Sequence, residues 1–215
     1  MTPKQRTRLE AIRGLRPEAG EPIPGKDIRD LGADDYCEIG GEPFRVRRVY
    51  RYLDVKWRDF RRRKNDYWIT ELELLSLRSG ELTWVEWEID DELEIYRTTE
   101  KLALRTIQYQ GRALRSADLE AIADEEEGIV KAGGQSWEYS EEDTWAARFF
   151  PVQRPDDSVD KDGGATLRVY EFEASNGAAL SIEAWHEEPD EKPDREAFLS
   201  RRESPDRIAV LQLLG

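Results

Sequence analysis

The chain reads as all-β: two related antiparallel modules of sandwich or half-barrel type, with a short N-terminal helix and an acidic linker helix. Three observations point there. Residues 70–87 (TELELLSLRSGELTWVEW) and 168–185 (RVYEFEASNGAALSIEAW) overlay without a gap, placing Glu73 on Glu171, Leu82 on Leu180, Trp84 on Ile182 and Trp87 on Trp185. Apolar and polar residues alternate with a period of two in the segments that follow Asp35, the pattern of half-buried strands. Gly40-Gly41 and Asn176-Gly177 stand between such runs where the backbone needs positive φ to turn. A hairpin unit used twice in 215 residues divides the chain into a basic N-terminal helix and linker (1–30), a first β module (31–113), an acidic linker helix (114–127) and a second β module (128–215).

Residues 4–16 (KQRTRLEAIRGLR) space Leu9, Ile12 and Leu15 three apart among Lys4, Arg6, Arg8, Arg13 and Arg16, which predicts a short basic helix. It suits an anionic membrane or a partner's groove, and equally a terminal helix docked on its own domain. Strands follow at 36–39 and 43–52, with Phe44, Val46, Tyr50 and Tyr52 expected on one face and Arg45, Arg47 and Arg51 on the other. Arg61, Arg62, Arg63 and Lys64 read as the tip of a solvated hairpin flanked by Trp57, Phe60, Tyr67 and Trp68. Basic residues among aromatics suit a single-stranded nucleic acid, but an edge strand defended by arginine explains the same residues.

In the repeated unit a three-residue loop sets Leu74 opposite Leu82 and Leu72 opposite Trp84, then Phe172 opposite Leu180 and Tyr170 opposite Ile182, giving each hairpin one apolar face. The other face pairs Glu73 with Thr83, Glu171 with Ser181, Ile69 with Trp87 and Leu167 with Trp185, contacts of a structural kind. Further strands are expected at 90–97 and 102–109, and a helix at 116–127 with Ser116 as N-cap and Gly128 as terminator. The second module takes strands at 128–131, 136–139, 145–150, 167–174, 178–186 and 207–213, with a loop of disorder-prone composition at 151–164.

Charge is unevenly spread: residues 1–64 hold 17 Lys and Arg against 11 Asp and Glu, whereas residues 65–215 hold 16 against 36, within a net charge of −14. Such a field repels nucleic acid from the long acidic part and draws cations to it. Cys37 is the single cysteine, so no intrachain disulfide forms, and no apolar run approaches the ~18 residues of a spanning helix. A soluble cytoplasmic protein is the expectation.

Catalytic devices find few residues. His186 is the only imidazole, set among Glu183, Glu187 and Glu188 at a strand end, with no nucleophile signature around Cys37 or a serine. Glu86, Glu88, Asp90, Asp91 and Glu92 lie close but fit no calcium loop, one Cys and one His cannot complete a zinc site, and no phosphate-binding glycine motif occurs. A carboxylate pair of the glycosidase type has too many candidates among 28 Glu to be assigned. More specific is tryptophan beside carboxylate, in Trp84, Glu86, Trp87 and Glu88 and again in Glu183 and Trp185, since indole faces and carboxylates together hold organic cations. Strand tryptophans packed in a core are the competing account.

The order Gly-Gly-Glu-Pro-Phe-Arg-Val (40–46), Ile-Thr-Glu-Leu-Glu-Leu-Leu (69–75), Leu-Thr-Trp-Val-Glu-Trp (82–87), Gly-Ile-Val-Lys-Ala-Gly-Gly-Gln-Ser-Trp-Glu-Tyr (128–139), Tyr-Glu-Phe-Glu (170–173) and Leu-Ser-Ile-Glu-Ala-Trp (180–185) resembles the prokaryotic domain-of-unknown-function family catalogued as 4178. The arginine-rich hairpin at 57–66 and the basic N-terminal extension depart from it. The resemblance implies a non-catalytic protein encoded beside polyamine aminopropyltransferase-like enzymes and small membrane proteins, with no family catalytic residues. The functional expectation is a binding or assembly protein without cofactor or metal. Its partner is a protein, with peripheral contact to an anionic membrane through Arg6, Arg8, Arg13, Arg16, Arg61, Arg62 and Arg63. Its alternatives are a sensor of small organic cations such as polyamines and a carboxylate-based hydrolase.

Overall fold

Four strands from each half of the chain close into one eight-stranded antiparallel barrel. A computed structural model describes residues 21–186 and 193–214; the basic segment 4–16, with Arg6, Arg8, Arg13 and Arg16, lies outside them. The first half supplies β2 (Glu42–Val55), β3 (Trp68–Ser76), β4 (Leu82–Ile89) and β5 (Leu93–Leu102). The second supplies β9 (Gln135–Val152), β10 (Ala165–Glu173), β11 (Ala178–His186) and β12 (Asp194–Arg202). Each set is a meander, and two seams join them: β2 pairs with β9, and β5 with β12. β1 (Tyr36–Ile39) and β13 (Ile208–Gln212) extend the sheet beyond β2; β8 (Ile129–Ala132), β6 (Gln108–Tyr109) and β7 (Arg112–Ala113) extend it beyond β9. One α-helix occurs among the described residues, α1 (Ser116–Glu125). The sandwich alternative is thereby corrected: the halves share a closed sheet because each meander's outer strands find partners in the other.

The apolar faces point outward. Leu72, Leu74 and Val85 turn away from the barrel axis into a core roofed by Ile28, Leu31, Cys37, Ile39 and Val210. On the second half Tyr170, Phe172, Leu180 and Ile182 pack under Leu119 and Ile122 of α1 together with Val130 and Trp137. The β2–β9 seam is covered by Trp57, Phe60 and Val159 over Leu53, Val55, Ala146 and Phe150. Burial of a large aliphatic or aromatic side chain stabilises by about 1.5–3 kcal/mol, so these covers hold the strands while the lumen is free to be polar.

Two bulges set which side chains enter the lumen. On β2 the ladder to β3 shifts at Arg47, so Phe44 and Val46 face the outer core whereas Tyr50 and Tyr52 face inward. The single face expected for all four is corrected, since one inserted residue reverses the parity of a strand. On β9 the ladder to β10 passes from Ser140 to Trp145, so the strands expected at 136–139 and 145–150 are one strand with residues 141–144 bulged between them.

The second hairpin has its expected register, Phe172 opposite Leu180 and Tyr170 opposite Ile182. In the first, Leu74 stands opposite Thr83, Glu73 opposite Trp84 and Ile69 opposite Glu88, one residue from expectation. The cause is a four-residue loop, 77–80: the Ser76 N–H bonds to the Glu81 carbonyl, and Ser76 Oγ accepts from the N–H groups of Arg78 and Ser79. The ungapped overlay therefore fails beyond the turn, and Trp87 does not correspond to Trp185.

Other expectations change in detail. The strand expected at 102–109 is the end of β5, a 3-10 turn at Leu104–Thr106 and the two residues of β6. α1 begins after Arg115, whose N–H is accepted by Asp118 Oδ2 at 2.8 Å, and ends at Glu126 in the left-handed region (φ 57°), not at Gly128. The 151–164 loop is tied down: Asp157 accepts from the N–H groups of Gln153 and Arg154, and Arg148 donates to the carbonyls of Asp162 and Gly163.

Candidate functional site: the barrel lumen

The lumen is a cavity of about 750 Å³, within the usual range for small-molecule pockets. Its side chains arrive by simple alternation: with Leu72 and Leu74 outward, Glu71 and Glu73 point in, and the same holds for Trp84, Glu86 and Glu88 on β4 and for Ser181, Glu183 and Trp185 on β11. Thirteen Asp and Glu side chains line it against one basic side chain, Arg63.

Aromatic and acidic side chains share the lumen. Around the β2–β9 seam lies an aromatic arc in which Phe149 meets Tyr50 and Trp185 with centroids 5.0 Å apart and Tyr52 meets Trp145 edge-on at 5.7 Å. The carboxyls come from all eight strands, and Trp84 meets Phe198 at 6.0 Å among them. Glu71, Glu86, Glu171 and Glu183, two from each half, form a cluster whose members repel one another. Glu86 and Glu183 occupy corresponding rungs, each five steps from the pair that closes its hairpin loop.

Their hydrogen-bond donors are neutral groups. Tyr52 Oη donates to Glu71 at 3.2 Å, Ser181 Oγ to Glu171 at 2.9 Å and Trp185 Nε1 to Glu183 at 2.9 Å. Glu86 has no hydrogen-bond or ion-pair partner for its carboxyl among the described residues. Glu73, 6% exposed, is paired with Arg47 at 3.1 Å, yet its Oε1 accepts no hydrogen bond. Burial first, then neighbouring carboxylates, pushes Glu86 up to about 8. Glu183 is pushed up to about 7, mainly by burial, and burial lifts Glu71 and Glu171 well above the ordinary carboxylate range. Glu88 is also raised, burial outweighing the hydrogen bond it accepts from Tyr67.

Of the six Trp and Glu residues singled out in the sequence, the structure gathers Trp84, Glu86, Glu88, Glu183 and Trp185 around this cavity. Trp87 is on the opposite face, buried in the outer core. Sequence reasoning missed Glu71, Tyr52, Trp145, Phe149 and Glu196. It also read Glu171 as a merely structural partner of Ser181. The alternation around Glu71 and Glu73 is visible in the sequence; that the polar face lines a lumen, with the apolar face packed outside it, is not.

Beyond the lumen, the hairpin arginines have local acids: Arg61 pairs with Asp59, Arg62 with Asp66 and Arg63 with Asp54. His186 is partly buried rather than exposed; its ring meets that of Phe60 at 5.4 Å with a tilt of 56°, and it is lowered by burial and then by Arg168, whereas Glu187 and Glu188 lie outside the described residues. Cys37, on β1, is fully buried in the outer core. Among the described residues no group of three or more His, Cys, Asp or Glu is arranged to hold a metal ion, and no helix is long and apolar enough to cross a membrane.

The profile of a family described as a domain of unknown function, DUF4178, matches residues 32–205, a span that takes in every strand of the barrel. The chain belongs to the DUF4178 family. The matched span includes both seams of this DUF4178 barrel and all four glutamates of its central cluster. Comparison with curated proteins and with solved structures returned no match.

Proposed function

We propose that the protein is a non-catalytic binding protein whose barrel lumen takes up a small organic cation of the diamine or polyamine class. The observation that carries this reading is the combination, in the barrel's cavity, of an aromatic arc with carboxyls contributed by all eight strands. Carboxylates supply the counter-charge for ammonium groups, and aromatic faces accept the methylene segments and the charge through cation–π contact, worth roughly 0.5–2 kcal/mol per ring. An eight-stranded barrel is of a size to hold one small ligand. The carboxyls are spread around the wall rather than converging on one point, which suits several separated N–H donors better than one hard metal ion.

The test is calorimetry with spermidine at physiological salt, followed in parallel by the fluorescence of Trp84, Trp145 and Trp185. A saturable isotherm of defined stoichiometry, weakened at least tenfold in the Glu86→Gln/Glu183→Gln variant, supports the reading. A heat without stoichiometry that vanishes with added salt rejects it, because diffuse attraction to an acidic surface is screened and a desolvated site much less so.

A further inference from the structure

We infer that the lumen exchanges protons for its ligand: the empty cavity holds protons on its central carboxyls, and entry of an alkylammonium ion releases at least one of them to solvent. This deepens the organic-cation reading of the same cavity and rests on it.

The argument is geometric. Glu71 from β3, Glu86 from β4, Glu171 from β10 and Glu183 from β11 face one another across an enclosed space. No cation enters their midst. Arg63 comes from the hairpin and is held by Asp54; Lys101, whose charge acts on Glu183, is paired with Glu196. The remaining groups that face the cluster add negative charge or none. β2 presents Tyr52 and Asp54, and β9 presents Asp143. Glu73 on β3 is already paired with Arg47, Glu88 on β4 accepts from Tyr67, and β5 contributes Glu94 and Tyr96.

Like charges at short range in a desolvated site cannot all be ionised, so some of the four keep their protons. Burial and mutual repulsion accordingly place Glu86 and Glu183 near neutrality and Glu71 and Glu171 above the ordinary range. An ammonium ion among them offsets that repulsion and stands in for the solvation the ionised carboxylate lacks. A carboxyl O–H then breaks heterolytically, its proton passes to the buffer, the carboxylate receives an N–H donor of the ligand, and the ammonium keeps its own protons. No bond to the ligand is made.

The experiment is calorimetric titration with 1,4-diaminobutane, which stays doubly protonated over the range used, at pH 6, 7 and 8 in phosphate, with the titration at pH 8 repeated in Tris. Release of one proton makes the affinity rise about tenfold per pH unit and makes the heat differ between buffers in proportion to their ionisation enthalpies. In the Glu86→Gln/Glu183→Gln variant both effects should fall toward zero, and circular dichroism confirms that the barrel is intact. Saturable binding with equal heats in the two buffers and a flat pH profile overturns proton exchange and leaves the organic-cation reading standing. Absence of saturable binding at every pH, for spermidine as well, overturns both.

Discussion

Glu86 shows most directly what the lumen costs the fold. Its carboxyl is deep in the barrel, faces three other glutamates and has no partner among the described residues. Above its value of about 8 it must be ionised there, and each unit by which a folded-state value departs from the unfolded one corresponds to about 1.4 kcal/mol. Glu86→Gln keeps the shape and removes the charge. The variant should be nearly equal to the parent at pH 4, where the carboxyl is neutral both folded and unfolded, and should gain on it progressively as the pH rises, reaching ~4 kcal/mol at pH 8.5, as read by thermal denaturation without ligand. A gain of the same size at both pH values would place the cause in packing rather than in charge. Activity-prone sites often carry destabilising groups of this sort, and their removal stabilises at the expense of binding.

At the scale of the element, α1 depends on one side chain. Asp118 takes the Arg115 N–H at 2.8 Å and both guanidinium nitrogens of Arg112 at 2.6 Å, joining the first turn of the helix to β7. Asp118→Ala should destabilise by about 1–2 kcal/mol through the lost cap and the unpaired arginine, measured by chemical denaturation, with Leu119 and Ile122 loosened from the second-half core.

The elements also show what the sequence could express. The β10–β11 register was legible because Asn176-Gly177 defines a three-residue loop, with Gly177 at φ 74°. The β3–β4 register was not, because Ser76 Oγ organises a loop one residue longer and Leu77 is drawn into the protein by its N–H bond to the Pro43 carbonyl. β12 escaped notice entirely. Its inward residues Glu196, Phe198 and Ser200 are mixed in polarity, which blurs the period of two beside the outward Ala197 and Leu199; yet it supplies the seam with β5 that closes the barrel. The Trp and Glu composition of the site was readable, whereas its location inside a barrel required the long-range pairings of β2 with β9 and of β5 with β12.

The whole molecule combines dry outer cores with a charged interior, and this sets its response to pH. A glutamate whose folded value lies above its unfolded value binds its proton more tightly when folded, so between about 4.5 and about 8 the native state holds more protons than the unfolded chain. Stability must fall as pH rises through that window and level off above it. The aspartates lowered by arginine or lysine, such as Asp66, Asp27 and Asp118, are fully ionised in both states there and do not oppose the trend. His186, lowered by burial, acts only below about 6.5. The ligand-free protein should lose on the order of 2 kcal/mol, or about 4–8 °C in melting temperature, between pH 6.5 and 8.5, and scanning calorimetry checks it. A melting temperature that climbs over this range would contradict the charged-lumen account. One buried thiol offers a separate clock on the same assembly. Cys37 lies on β1 between β2 and β13, fully enclosed, with burial pushing it up to about 12. A reagent such as iodoacetamide can reach it only when the C-terminal strand peels away or the cover lifts, so alkylation rates will time that opening from within, without an added label.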